Sequence, residues 1–379
     1  MSNRRQPYRV GLIGSGRAGL PRARAFDLHP RCEVVAVVDT DAENLAFGSD
    51  AFSVPGYSTW DDMFATEAID IALAVLPVAP NADAVVAAAK AGVRAVFCEK
   101  PLTARLSDAD RMVEACASRG VPLAAGVVIS SHVDYEKAFA LAASGEIGEI
   151  RRIHLYENNG QGGCHGLNLA RKFAAKAPVE SVIGWVEGDA HSDYEEPYEE
   201  GDTGFGGIGG IIRFTNGVEC FSTWTDLPWR GIEVVGTRGL ICNRNNTTRG
   251  LQLFRADETA AGVLREVTGL FEQGPWPERK YDDEGWRDAG DPTRGIVQQL
   301  VDTLDDGKAL SLTTGDDLRH ALEIALALRE SARRGSVPVE LPLTDRSLVF
   351  YPEKSRWHYK KDVHGPEWYR KQLHAVRRP

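Results

Sequence analysis

The chain has 379 residues, of which 43% are hydrophobic and 26% are charged, a composition typical of soluble globular proteins. This length exceeds what one hydrophobic core usually sustains, so it predicts two domains. A formal net charge of −10 argues against nucleic acid or an anionic membrane surface as the main partner. No apolar run approaches the ~20 residues of a membrane span, and no apolar leader precedes the first predicted strand, so we expect a cytoplasmic protein.

The first predicted elements are a strand over residues 8–13, a glycine-rich turn and a helix over residues 20–29. A second apolar run, residues 32–38, ends at Asp39, which lies 20 residues beyond Gly19. The turn between strand and helix is Gly14-Ser15-Gly16-Arg17-Ala18-Gly19. A strand, this glycine spacing, a helix and a later carboxylate together predict a dinucleotide-binding site.

Each part of this motif has a physical role toward the cofactor. Gly14 permits the tight turn, Gly16 lets the backbone approach the pyrophosphate, and Gly19 lets the helix pack closely. Asp39 accepts hydrogen bonds from the adenosine ribose and repels a 2′-phosphate, so we expect NAD rather than NADP, a preference that Arg17 and Thr40 weaken. The residues expected to contact the cofactor are Gly14, Ser15, Gly16, Arg17, Ala18, Asp39, Thr40, Leu76, Pro77, Asn81, Glu99 and Lys100.

Strands and helices continue to alternate up to about residue 128. The pattern predicts strands over 69–76, 95–98 and 122–128, and helices over 84–91 and 109–118 capped by Asp83 and Ser107. Alternation of this kind predicts a doubly wound parallel sheet, an α/β Rossmann domain. Ligands of such sheets bind at the carboxyl ends of the strands, where Pro77 and Lys100 also fall.

Beyond about residue 130 the pattern changes to strands joined by short turns. Such a succession predicts an open, mainly antiparallel sheet and hence an α+β domain. We also predict helices over 135–143, 295–304 and 316–333, the last capped by Thr314 with Asp317. The strands are expected over residues 150–156, 182–187, 209–214, 218–224, 231–235 and 251–255.

These patterns predict a domain organisation of three parts. The Rossmann domain covers residues 1–129, the substrate and oligomerisation domain residues 130–343, and a basic extension residues 344–379. The helix over about 315–334 is expected to pack back on the Rossmann domain. An exposed open sheet is a liability in water, which predicts a homo-oligomer, either a dimer or a tetramer.

The spacing of the cysteines and of one acidic cluster indicates no metal site. Cys32, Cys98, Cys116, Cys164, Cys220 and Cys242 show no CxxC spacing, and most lie in apolar runs, so we expect buried reduced thiols. The cluster around Asp189, His191 and Asp193 has no further ligands at metal-binding spacing. We therefore expect no metal site.

Over residues 8–343 the chain resembles the Gfo/Idh/MocA oxidoreductases. The resemblance is carried by the order of the two domains, by Glu99-Lys100-Pro101 at a strand end, and by the segments 144–150 and 214–217. It implies that Lys100 points at the nicotinamide and the substrate. In the family pattern DxGxHxxD…R, His165 and Arg171 hold their places, whereas Gln161 and Asn168 stand where aspartates are usual.

The resemblance implies a dehydrogenase that acts on a ring hydroxyl of a sugar, glycoside or cyclitol. Removing a hydroxyl proton requires a base near neutral pKa, so His165 is the candidate base, because Gln161 cannot accept a proton. Lys100 would stabilise the developing alkoxide, or act as the base if burial lowers its pKa. Gln161, Asn168 and Arg171 are expected to bind the substrate. A structural histidine and a surface lysine remain the alternatives for the two catalytic candidates.

Two other functions stay open at this point. Some relatives retain NAD, oxidise a glycoside transiently and then eliminate its aglycone, and the replacement at Gln161 is compatible with this chemistry. Other relatives are dinucleotide-sensing regulators without catalysis. Lys100 and His165 argue against a sensor, because sensing alone requires neither side chain.

Overall fold

The computed structural model describes the chain in several stretches and divides it into two compact units. The described residues are 6–127, 129–156, 163–186, 190–191, 208–223, 231–243, 250–271, 292–310, 313–350, 364–368 and 370–371. The first unit comprises residues 1–131, 279–319 and 352–379, and the second comprises residues 132–278 and 320–351. The predicted boundaries at residues 129 and 343 stay predictions.

In the described part of the first unit, six parallel strands form a sheet in the order β3-β2-β1-β4-β5-β6. Except for the short edge strand β3, these strands are almost completely buried, as expected for a sheet covered on both faces. The predicted doubly wound Rossmann sheet is confirmed. The strands are β1 (Tyr8–Ile13), β2 (Cys32–Val38), β3 (Gly56–Tyr57), β4 (Ile71–Ala74), β5 (Ala95–Cys98) and β6 (Leu123–Ala125).

Helices connect the strands of this sheet, and one later helix joins them. The helices are α1 (Gly19–Asp27), α2 (Ala42–Phe52), α3 (Trp60–Thr66), α4 (Asn81–Ala91), α5 (Leu106–Ala117) and α8 (Pro292–Asp306). Ile296, Val297 and Leu300 of α8 belong to the same buried core as Val10, Leu12 and Phe26. The predicted helix over 295–304 is therefore confirmed, and it completes the core of the first unit.

Two of the predicted helix caps are wrong. Helix α4 begins at Asn81, so Asp83 lies in its first turn, where it pairs with Arg111 over 2.9 Å. Helix α5 begins at Leu106 with Arg105 at its N-cap position, which places Ser107 inside the first turn. Both helices begin earlier because Asn81 and Leu106 are buried, so that packing fixes their first turns.

In the described part of the second unit, nine strands form a sheet in the order β14-β13-β12-β11-β7-β10-β9-β8-β15. Strands β7 and β10 are parallel and the other neighbours are antiparallel, so the predicted mainly antiparallel sheet is confirmed. The strands are β7 (Ile150–Tyr156), β8 (Val179–Val186), β9 (Ile208–Phe214), β10 (Glu219–Thr223), β11 (Gly231–Gly236), β12 (Gly239–Asn243), β13 (Gln252–Ala256), β14 (Leu264–Glu266) and β15 (Val339–Glu340).

Helices α6 (Val133–Ala143) and α7 (Gly166–Phe173) belong to the second unit, as do residues 320–333 of α9 (Gly315–Arg333). Helix α9 lies so close to the sheet that a Cβ atom at Gly184 would sit 2.0 Å from the Leu328 carbonyl oxygen. The Gly184 N–H donates to Ser331 Oγ over 2.9 Å, which fixes this approach. The predicted cap of α9 is confirmed, because Thr314 Oγ1 accepts from the Asp317 N–H over 3.1 Å.

The cysteines and the helices also bear on the class of protein. All six cysteines are buried, and burial raises the pKa of Cys32 to about 12 and that of Cys116 to about 11. Such thiols stay protonated and unreactive near neutral pH. Asp189 and Asp193, next to His191 in the acidic cluster, lie outside the described residues. Within the described residues, no helix has the length and apolar character needed to cross a membrane.

Candidate functional site

The turn after β1 has a geometry that requires glycine at two of its positions. Gly14 has φ +97°, and a Cβ atom there would lie 2.3 Å from the Val75 carbonyl oxygen. A Cβ atom at Gly19 would lie 1.7 Å from the Gly14 carbonyl oxygen. At Gly16, by contrast, a Cβ atom would meet nothing within 4 Å in the described part of the chain. The turn is thus tightly packed on the protein side and open beside Gly16.

The N-terminus of α1 follows this turn directly. The N–H groups of Gly19 and Leu20 both donate to the Gly16 carbonyl oxygen, over 3.1 and 3.3 Å. Among the described residues, no side chain caps the helix, and its first turn contains no acidic residue. The partial positive charge of the helix end is therefore available to an anion such as a pyrophosphate.

Asp39 is held in a fixed orientation at the end of β2. Its Oδ2 atom accepts from the Ser15 N–H over 2.8 Å and from Ser15 Oγ over 3.1 Å, and its Oδ1 atom accepts from the Asp41 N–H over 2.9 Å. Asp39 is half-buried, whereas Ser15 is fully buried. A carboxylate has about four lone-pair sites, so this one can still accept from ribose hydroxyl groups. The glycine turn, the helix end and Asp39 together fit a dinucleotide.

The other predicted cofactor residues lie at this same edge of the first unit. Leu76 and Pro77 follow β4 and are half-buried, whereas Arg17, Ala18 and Thr40 are exposed. Lys100 follows β5 and is half-buried, and the peptide bond between it and Pro101 is cis. The sheet therefore brings the predicted cofactor residues of the first unit together at the carboxyl ends of β1, β2, β4 and β5. Their individual contacts with a cofactor stay predictions.

The residues on either side of Lys100 have protein partners. Glu99 is buried, and its Oε2 atom accepts from Arg22 Nε over 2.7 Å. Asn81 is also buried, and its Nδ2 atom donates to the carbonyl oxygens of Pro101 and Leu102, over 3.3 Å in each case. Arg22 is not among the site residues predicted from the sequence. The signal that could have indicated it is its position in the first turn of α1, three residues after Gly19.

The second unit contains the predicted base and substrate residues at the start of α7. Gly163 has φ +65°, and its carbonyl oxygen accepts from the Asn168 N–H over 3.3 Å. His165 occupies the N-cap position of α7 and is half-buried, whereas Asn168 and Arg171 are buried. These three residues are spaced by three, so they lie along one side of the helix.

Two of the predictions for this site are not decided by the structure. Gln161 lies outside the described residues. Lys100 belongs to the first unit and His165 to the second, so their convergence on one oxygen atom stays a prediction.

Comparison with known proteins identifies the first unit. Residues 8–127 match the family model GFO_IDH_MocA, described as an oxidoreductase family with an NAD-binding Rossmann fold. Over 149 residues the chain is 30% identical to the 2,7-anhydro-N-acetylneuraminate hydratase of Escherichia coli, which covers 39% of each protein. Over 153 residues it is 32% identical to inositol 2-dehydrogenase 3 of Saccharopolyspora erythraea, covering 40% of this chain and 45% of that protein. The matched part thus spans about two fifths of these relatives.

Solved structures show the same fold over most of the chain. Levoglucosan dehydrogenase, in complex with NADH and levoglucosan, superposes with a TM-score of 0.70 at 19% identity, covering 89% of this chain and 100% of that chain. The WlbA dehydrogenase of Bordetella pertussis, in complex with NADH and UDP-GlcNAcA, superposes with a TM-score of 0.65 at 21% identity, covering 89% and 99%. The resemblance inferred from the sequence is confirmed over residues 8–127, which match the NAD-binding Rossmann domain of the Gfo/Idh/MocA oxidoreductases.

Proposed function

We propose that the protein is an NAD-dependent oxidoreductase that transfers a hydride between a ring secondary hydroxyl group of a sugar, glycoside or cyclitol and nicotinamide. The observation that carries the proposal is the edge of the parallel sheet, where the glycine turn follows β1, Asp39 follows β2 and Lys100 follows β5. An ammonium group is therefore presented at the same strand ends as the dinucleotide motif. The inositol 2-dehydrogenase relative supports the substrate class.

The proposed chemistry assigns a separate role to each side chain. When bound, nicotinamide accepts or supplies the hydride. Lys100 donates a hydrogen bond to the reacting oxygen and stabilises the negative charge that develops there. His165 takes the proton of the hydroxyl group during oxidation and returns it during reduction. Gln161, Asn168 and Arg171 hold the sugar ring by hydrogen bonds.

The orientation of Asp39 supports NAD as the cofactor. Its carboxylate is half-buried and fixed by two backbone N–H groups, so it cannot easily turn away from a 2′-phosphate. A relative in Haloarcula marismortui, 31% identical over 156 residues, is named a D-xylose 1-dehydrogenase [NADP(+)]. Relatives at this distance therefore include an NADP enzyme, and the acidic side chain at position 39 is the feature that favours NAD here.

A direct assay tests the proposal. The purified protein is mixed with NAD and a panel of pyranosides and inositols, and formation of reduced nicotinamide is followed by absorbance. We expect turnover with at least one polyol, and we expect Lys100→Ala to lower kcat about 100-fold while the Kd for NAD stays within about twofold. NAD binding without oxidation of any polyol would contradict the proposal, and unchanged turnover in the variant would remove Lys100 from the chemistry.

A second function, transient oxidation with retained NAD followed by elimination, has its own support. Gln161 stands where the family pattern has an aspartate, so the acid–base set is altered. Two relatives, in Escherichia coli and Mediterraneibacter gnavus, are named hydratases. This alternative predicts release of a modified sugar without net formation of reduced nicotinamide, which product chromatography distinguishes from the dehydrogenase reaction. A protein that binds NAD but changes no sugar in either assay would favour the sensing regulator.

The proposal includes a homo-oligomer, a dimer or tetramer formed through the second sheet. Gly184 and Gly210 face α9, so the residues that alternate with them form the opposite, outer face. Ile211 pairs with Ile183 on one side and with Phe221 on the other, and Phe221 stacks on His154 with ring centroids 5.3 Å apart. Trp185 on this face is 39% exposed. A second copy of the chain fits such a face, because a two-fold axis pairs an apolar row with itself.

A further inference from the structure

A half-buried side chain from α1 and a buried one from α4 hold the segment that carries Lys100. We propose that Arg22 and Asn81 are positioning residues, which fix the backbone on either side of Lys100 so that its ammonium group meets the reacting oxygen. The inference rests on the proposed function, in which Lys100 contacts that oxygen. It assigns Glu99 and Asn81 a role that differs from direct contact with the cofactor.

The first contact that holds this segment is the ion pair between Arg22 and Glu99. Arg22 Nε donates to Glu99 Oε2 over 2.7 Å, and Arg22 Nη1 donates to Thr293 Oγ1 of α8 over 2.7 Å. The side chains of Arg22 and Glu99 are only 12% and 9% exposed. Hydrogen bonds between charged groups in such shelter are strong and directional, and removing one partner leaves a buried charge. The residue before Lys100 is thereby tied to the helix that follows the glycine turn.

The second contact that holds this segment lies on the C-terminal side of Lys100. Asn81 is the first residue of α4 and is 1% exposed, and its Nδ2 atom donates to the carbonyl oxygens of Pro101 and Leu102. Its Oδ1 atom is buried and has no hydrogen-bond partner within the described residues. A buried acceptor without a partner destabilises a fold, so stability alone does not account for an amide at this position. Holding the two carbonyl groups accounts for it.

The backbone on both sides of Lys100 has to be held because the lysine side chain is long and flexible. The pairing of β5 with β4 ends at Glu99, whose N–H donates to the Ala74 carbonyl oxygen over 2.9 Å. Lys100 comes next, and its charge sits at the end of a flexible four-carbon stem. The direction in which that stem extends depends on how firmly the backbone at its Cα atom is held. A small displacement of a reacting group lowers turnover steeply. Loss of either contact is therefore expected to lower kcat more than it weakens NAD binding.

The test compares Glu99→Gln and Asn81→Ser with a matched control. The control is Asp83→Asn, which breaks an exposed ion pair between the same helix α4 and Arg111. In the full-length protein loaded with NAD, the rate at which an acetylating reagent modifies Lys100 is measured by mass spectrometry, relative to the exposed Lys90. We expect the Lys100 to Lys90 ratio to change by at least about threefold in both variants, and to stay unchanged in the control. The Kd for NAD should stay within about twofold of that of the unaltered protein.

Turnover supplies a second readout. Glu99→Gln should lower kcat about tenfold or more, with a smaller effect on the KM for the sugar. In a Lys100→Ala background, Glu99→Gln should lower kcat no further, because the ion pair acts through Lys100. Arg22→Lys keeps the positive charge but loses the forked set of guanidinium donors. Its kcat should lie between those of the unaltered protein and of Glu99→Gln.

Each alternative leaves a different mark. A Kd for NAD raised more than about tenfold, with Lys100 labelled at its usual rate, would assign Glu99 and Asn81 to the cofactor and overturn the inference. A lower melting temperature with unchanged labelling and unchanged kcat would show a structural role only, and would also overturn it. Should Glu99→Gln fail to fold, Asn81→Ser decides the question. If the unaltered protein oxidises no polyol, the proposed function fails, while the labelling ratio still decides whether Lys100 is positioned.

Discussion

The Asp39 carboxylate accepts a hydrogen bond from the backbone N–H of Ser15, so the acidic residue that ends β2 is joined to the glycine turn that follows β1. The two halves of the dinucleotide motif are thus joined by hydrogen bonds within the protein itself. Preorganisation of this kind lowers the ordering cost of binding.

This relationship predicts the cofactor preference of a variant. Asp39→Ser removes the negative charge and shortens the side chain, so the ribose hydroxyl groups lose a charged acceptor and a 2′-phosphate loses its repulsion. Each charged hydrogen bond contributes about 1.5–3 kcal/mol, so we expect the Kd for NAD to rise at least about tenfold. The Kd for NADP should fall at the same time. Titration calorimetry with both cofactors checks this, and an unchanged ratio of the two constants would refute the role of Asp39.

Substitutions at two glycines of the turn are expected to differ in their effects on NAD binding and on stability. Gly16 has a backbone conformation open to any residue, and a Cβ atom there meets nothing within 4 Å of the described residues. Gly16→Ala should therefore keep the melting temperature, yet weaken NAD about tenfold or more, because its methyl group occupies the space of the pyrophosphate. Gly19→Ala places a Cβ atom 1.7 Å from the Gly14 carbonyl oxygen, so it should lower stability by about 1–3 kcal/mol as well as binding.

Calorimetry and thermal unfolding of the two glycine variants decide between these expectations. Equal losses of stability in Gly16→Ala and Gly19→Ala would show that the open space beside Gly16 is not where the cofactor lies. Retained NAD affinity in Gly16→Ala would carry the same conclusion.

His132 predicts a pH dependence of stability in the second unit. Burial lowers the pKa of His132 from its usual value, and nearby Asp134 opposes the shift. Its Nδ1 atom accepts from the Asp134 N–H over 3.2 Å and so caps α6, which requires the neutral ring. Because the folded-state pKa lies below the unfolded one, the unfolded state binds the proton first. The stabilisation is present above pH ~6.5 and is lost as the pH falls toward the folded-state pKa.

Urea unfolding between pH ~5 and ~8 measures this contribution. His132→Asn keeps an acceptor for the cap but cannot titrate, so its free energy of unfolding should depend less on pH than that of the unaltered protein. His132→Ala loses the cap as well and should be less stable by about 1 kcal/mol even at the upper end of the range. If the free energy of unfolding changed equally with pH in all three proteins, a group other than His132 would cause the acid sensitivity.

Local patterns predicted the parallel sheet of the first unit and the glycine turn and acidic residue at its strand ends. Buried strands of a parallel sheet are continuous apolar runs, and the position of Asp39 followed from its distance to Gly19. The ion pair of Arg22 with Glu99 was not predictable, because the two residues are 77 positions apart and meet only through the sheet order. The sequence pattern did not predict strand β12, which begins at Gly239 and is defined by its backbone pairing with β11 and β13.

The outer face of the second sheet predicts a variant with altered assembly. Ile211 is half-buried in the middle of the row formed with Ile183 and Phe221, so Ile211→Asp would place an unpaired charge at the centre of the proposed contact. We expect it to raise the dissociation constant of the oligomer about 100-fold or more, as removal of one central anchor often does. Thr215→Asp, at the exposed turn after β9, introduces the same charge outside the row and should leave assembly unchanged. Sedimentation of both variants at micromolar concentration, with circular dichroism to confirm folding, makes the comparison, and a monomeric unaltered protein would refute the assignment of this face.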